Sequence, residues 1–95
     1  MTVLTAKLTF YIPYAASHKD KRAVRKSIID KTRLKFNVSI AEVDTQEVHR
    51  VLTLGIAVVS GEVAHAQNSL DEIIRFIEGS ALKHGGAELT QVERG

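Results

Sequence analysis

The spacing of apolar residues switches repeatedly between two periods along this chain, and the order of those switches restricts the fold more than any motif does. Leu4, Ala6, Leu8, Phe10 and Ile12 alternate with Val3, Thr5, Lys7, Thr9 and Tyr11, the two-residue period of a strand with one better-buried face. Pro13 ends that strand. Ser17 stands three positions before Asp20, close to a capping box, and Lys19 to Phe36 holds no Gly or Pro, so a helix is expected there. On a helical wheel Val24, Ile28, Ile29, Thr32 and Phe36 gather on one side, with Lys19, Arg22, Lys26, Asp30 and Arg33 on the other.

Asn37 is the expected helix stop, and Val38 to Val43 reads as a second strand rich in β-branched residues, followed by the polar stretch Asp44 to Glu47. Val51 to Ser60 is apolar on both faces and therefore predicts a central strand, which Gly61 breaks. From Glu62 onward Val63, Ala66, Leu70, Ile73, Ile74 and Ile77 recur at three- and four-residue steps, predicting an amphipathic helix that stops near Gly79. Gly85-Gly86 reads as a turn and Ala87 to Glu93 as a last short strand. The resulting order, β-α-β-β-α-β, is the ferredoxin-like plan: an α+β fold with both helices on one face of a four-stranded antiparallel sheet, the first and third strands central, and the other sheet face open.

Length and composition add limits. The 95 residues, 44% apolar with a single proline, predict one domain over residues 1–95 and argue against disorder. With no cysteine there is no disulfide framework, thiolate metal site or thiol nucleophile. The N-terminus lacks a basic segment followed by an apolar one, and Val51 to Val59 is too short to span a bilayer, so a cytoplasmic location without membrane attachment is expected.

The net charge of +2 conceals an asymmetry. Residues 19 to 35 carry eight basic side chains, Lys19, Lys21, Arg22, Arg25, Lys26, Lys31, Arg33 and Lys35, against Asp20 and Asp30, giving +6 there and −4 elsewhere. Lys19, Lys21 and Arg22 lie in the first helical turn, where the helix dipole disfavours cations. An anion received there by free backbone N–H groups and the Ser17 hydroxyl would reverse that sign, and Ser17, Lys19, Lys21, Arg22, Lys26 and Arg33 form the candidate anion or RNA contact set, with Arg25, Lys31 and Lys35 nearer the helix edges. A solvated basic face is the bland alternative for any such run.

Other chemistry finds little support. Proteins of this topology that stack RNA bases do so on aromatic residues of the central strands, whereas only Tyr11 is offered here, beside Thr53, Gly55, Ala57 and Val59. That small, weakly polar surface suits packing against another sheet or a second copy, so a homodimer through the open face is the second expectation. Acylphosphatases share the order of elements, but their glycine-rich loop and arginine have no counterpart in Pro13-Tyr14-Ala15-Ala16-Ser17-His18. His18, His49, His65 and His84 are dispersed without metal-ligand spacing, so no metal or other cofactor is expected. Glu42 and Asp44 fall on one face of a strand, a geometry open to acid-base work, although ion pairing is the commoner use. No catalytic motif is found and no enzymatic activity is expected.

Three segments together carry a family resemblance: Ser17-His18-Lys19-Asp20-Lys21-Arg22, Phe36-Asn37-Val38-Ser39-Ile40-Ala41-Glu42-Val43-Asp44 and Thr53-Leu54-Gly55-Ile56-Ala57-Val58-Val59-Ser60. With Gln91-Val92-Glu93-Arg94 at the end, the chain resembles the bacterial YlxP-like family over essentially its whole length. His18 and Lys35 depart from the leucine and arginine usual at those places. The resemblance implies a ferredoxin-like fold and a cytoplasmic protein whose genes often adjoin those for translation initiation and ribosome maturation. It brings no catalytic residues. Ribosomal RNA or a ribosome-linked protein is the partner it implies, in line with the basic helix.

Overall fold

A computed structural model describes residues 1–95. Its elements are β1 (Thr2–Tyr11), α1 (His18–Lys35), β2 (Ser39–Glu42), β3 (Val51–Ser60), α2 (Val63–Gly85) and β4 (Glu88–Arg94). The sheet runs β2-β3-β1-β4 with all pairings antiparallel, and the ferredoxin-like plan expected from the periods is the observed one. β1 and β3 pair along their full lengths, from Thr2 opposite Ser60 to Tyr11 opposite Val51. Alternation places Ala6, Leu8, Phe10 and Ile12 beneath the helices together with Leu52, Leu54, Ile56 and Val58, all buried. Ile28 of α1 and Ala66, Leu70, Ile73, Ile77 and Ala81 of α2 close the same core. Each fully buried Leu, Ile or Phe contributes roughly 1.5–3 kcal/mol over the exposed state.

The boundaries differ from expectation at two places. β2 is shorter than Val38–Val43, covering Ser39–Glu42; the Val43 N–H still bonds to the Thr53 carbonyl of β3, and the chain turns away at Asp44, which takes a left-handed conformation, φ 56°. α2 does not stop near Gly79. It continues to Gly85, since Ser80 and Ala81 carry the buried stripe onward, and it ends where Gly86 adopts φ 58° and its N–H bonds to the Leu82 carbonyl. A left-handed residue after the last turn is the position at which glycine ends helices most cheaply. No helix is long and apolar enough to cross a membrane.

Candidate nucleic-acid interface

The N-terminal cap of α1 forms as the Ser17–Asp20 spacing requires, and this decides what its first turn can bind. The Asp20 N–H donates to Ser17 Oγ at 3.3 Å, and the Asp20 carboxylate accepts from the Ala16 N–H at 2.9 Å. Ser17 is therefore engaged within the chain, and Asp20 already supplies negative charge to the dipole end. The exposed Ser17 hydroxyl accepts that bond and keeps its own proton to donate.

Lys21, by contrast, leaves the candidate anion-contacting set. It is only 2% exposed, and its ammonium lies 2.7 Å from the carbonyls of Thr45 and Val48 and 2.7 Å from Glu42 Oε2. The two carbonyls accept hydrogen bonds from the ammonium, and Glu42 Oε2 forms an ion pair with it. Arg25 completes the cluster with Nη1 3.0 Å from Glu42 Oε1. Burial pushes the Glu42 carboxyl up, but hydrogen bonds and charge from Lys21 and Arg25 outweigh it and hold the group below its ordinary value. The cluster ties the loop between β2 and β3 to α1. The wheel contains the clue: Lys21 precedes Ile28 and Thr32 by two and three turns and so stands on the buried stripe with them.

Glu42 and Asp44 do not share a face. Glu42 turns under α1, whereas Asp44 lies above the open sheet face, 2.8 Å from the Lys7 ammonium, with Glu93 at 3.7 Å on the other flank. The hydrogen bond to Asp44, then the charges of Asp44 and Glu93, raise the Lys7 pKa. Both acids are paired with cations, the commoner use of such residues.

Lys19, Arg22, Lys26 and Arg33 are exposed and lie together. At helical pitch they fall within an arc of about 60° that runs some 20 Å along the outer side of α1. Lys26 is joined to Asp30 at 2.8 Å, an exposed pair one turn apart. Lys19, Arg22 and Arg33 meet no carboxylate within ion-pair distance, and Arg33 Nη2 reaches over β2 to the Ile40 carbonyl at 3.0 Å. His18 and His49 meet edge to face with ring centroids 5.7 Å apart, and nowhere are three His, Asp or Glu side chains grouped to hold a metal. On the open face Gly55 and Ala57 floor a shallow depression of about 600 Å³ bordered by Thr5, Ala41 and Val43.

The family model described as "Protein of unknown function (DUF503)" matches residues 3–94. The chain belongs to that family. The uncharacterized protein YlxP of Bacillus subtilis (strain 168) is 39% identical over 64 residues, 67% of this chain and 70% of that protein, in agreement with the resemblance carried by the three segments. Among solved structures, a de novo designed protein with a ferredoxin fold aligns with a TM-score of 0.61 at 18% identity, covering 100% of this chain and 84% of that one. The Bacillus subtilis YXEP protein, a dinuclear metal binding peptidase from the M20 family, gives 0.67 at 15%, over 98% of this chain and 25% of that one. A C-terminal segment of the alpha subunit of aIF2 from Pyrococcus abyssi gives 0.59 at 15%, over 99% and 50%. At these identities the structural likeness of the DUF503 chain to all three is one of fold.

Proposed function

We propose that this DUF503 member is a non-enzymatic cytoplasmic protein that binds RNA through the outer side of α1, with Lys19, Arg22, Lys26 and Arg33 contacting backbone phosphates. The observation that carries the reading is that stripe: four cations on one exposed arc, of which only Lys26 is answered by a carboxylate. Recognition is of charge and shape, because the central strands offer no aromatic platform for stacked bases. Ribosomal RNA is the first target, following the partner that the family resemblance implies. Fluorescence anisotropy with structured ribosomal RNA over a salt series tests this. Replacing both Arg22 and Arg33 with Gln is expected to flatten the dependence of log K on log salt by roughly two phosphate contacts. Binding that is absent, or equally strong and equally salt-dependent in the double variant, overturns the reading.

The depression over Gly55 and Ala57 favours a second reading, self-association through the open sheet face. Small side chains there would let two sheets approach closely. Sedimentation at tens of micromolar tests it, and a strict monomer removes it.

A further inference from the structure

A separate group of cations lies between the helices. Phe36 meets Phe76 there, with ring centroids 5.4 Å apart, and Val24 comes up against Gly85, so α1 and α2 run antiparallel. Over their C-terminal halves they border a groove of about 480 Å³. Lys31 of α1 and Arg75, Lys83 and His84 of α2 line it, with no carboxylate among the lining residues. None of these lysines or the arginine is ion-paired, and the Lys31 ammonium reaches only the Ser27 hydroxyl at 3.1 Å.

Helix dipoles explain part of this charge. Lys83 and His84 stand in the last turn of α2, where cations are favoured. Arg75 stands well before that end, and Lys31 is outside the last turn of α1, so the dipoles account for neither. Partial loss of hydration, then the charges of Lys31 and Lys83, press the His84 pKa below its ordinary value. Positive charge is thus crowded and unrelieved within the chain.

Two uncharged features of the same groove are independent of that crowding. Ser80 is 8% exposed and its hydroxyl has no hydrogen-bond partner, although a serine in a helix can bond to the carbonyl one turn back. A buried donor left unmade is unfavourable unless something else meets it. Beside it, Gly79 lies inside α2, where glycine is a poor choice, and a Cβ added there would meet nothing within 4 Å. Packing does not require the glycine. It is one of the residues that line the groove, and a side chain there would project into open space.

We propose that the interhelical groove seats a phosphate group, with Lys31, Arg75 and Lys83 supplying charge, His84 a ring N–H, and Ser80 a neutral donor at the floor. The site is distinct from the outer stripe of α1 and stands without the RNA reading. Its phosphate is either free or terminal, as in inorganic phosphate and phosphomonoesters, or part of a nucleic-acid backbone. Titration followed by amide NMR separates these sources: inorganic phosphate against chloride at equal ionic strength, then a short oligonucleotide with and without a 5′-phosphate. Saturable shifts confined to Gly79, Ser80, Lys83 and His84 are expected with at least one of these probes. Saturation by inorganic phosphate or by the 5′-phosphorylated strand alone identifies a free or terminal group; saturation by both strands alike identifies the backbone. Arg75→Gln with Lys83→Gln is expected to weaken binding at least tenfold, and Gly79→Leu to abolish it, while Gln67→Ala, at an exposed place on α2 outside both cation groups, leaves it unchanged. Shifts no larger than those from chloride with every probe, or wild-type binding by Gly79→Leu, overturn the proposal. Loss of RNA binding in the α1 variants with groove shifts intact would leave this site standing.

Discussion

The two ends of α1 treat the same residue types in opposite ways. Near the N-terminus, the cations on the inner side are answered from within, Lys21 and Arg25 sharing Glu42, while Lys19 and Arg22 on the outer side meet no carboxylate. Near the C-terminus, Lys31 faces Arg75, Lys83 and His84 with no acid among them. Charge density along a sequence thus says nothing of whether a cation is structural or available; a partner's place in the fold decides that. At the first end the inner cations position a loop, and at the second the cations leave a positive field open to solvent.

Breaking this contrast should have its largest effect at Glu42. Glu42→Ala leaves the Lys21 ammonium buried without its counter-charge, and a loss of about 3 kcal/mol is expected in urea unfolding, the usual cost of orphaning one member of a buried pair. The acid limb should follow. The Glu42 pKa is lower in the folded state than its ordinary 4.5, so its contribution is fully present above that value and disappears as pH falls through the folded value. Glu42→Gln should therefore unfold with a flatter pH dependence below about pH 5. At the other end, Gly79→Ala is expected to stabilise by roughly 0.5–1 kcal/mol in the same measurement, because the added methyl meets nothing and glycine is unfavourable inside a helix. Arg75→Ala, which breaks no ion pair, should change stability by less than about 0.5 kcal/mol. Smaller still is Lys26→Ala, which removes an exposed one-turn pair with Asp30 worth about 0.3 kcal/mol. The groove's own signature is a titration: Lys31→Ala should move the His84 pKa upward toward its ordinary value, read from its ring protons by NMR.

What was legible in the sequence follows from the range of the forces involved. β1 and β3 could be read because alternation and a continuous apolar run are local consequences of burial on one face or on both. The Ser17 cap was equally local. α2 was cut short because Gly79 reads as a stop, whereas the burial of Ala81 and the left-handed Gly86 place the end farther on. Lys21 looked like surface charge because its partners, Glu42 and the carbonyls of Thr45 and Val48, stand more than twenty residues away. Arg75 and Lys83 escaped notice for the same reason, and His84 read only as one of four dispersed histidines. Nothing near them in the chain announces that Lys31 lies across a groove.

The outer strands carry one more consequence. β2 has only four residues, and β4 slips register where Thr90 stands unmatched between Leu89 and Gln91, its hydroxyl donating instead to the Thr9 carbonyl. A rim this short on one side and kinked on the other makes a poor template for a neighbour's strand, so head-on ribbon growth of the kind that seeds fibrils is discouraged. Copies of this chain that do meet must do so broadside.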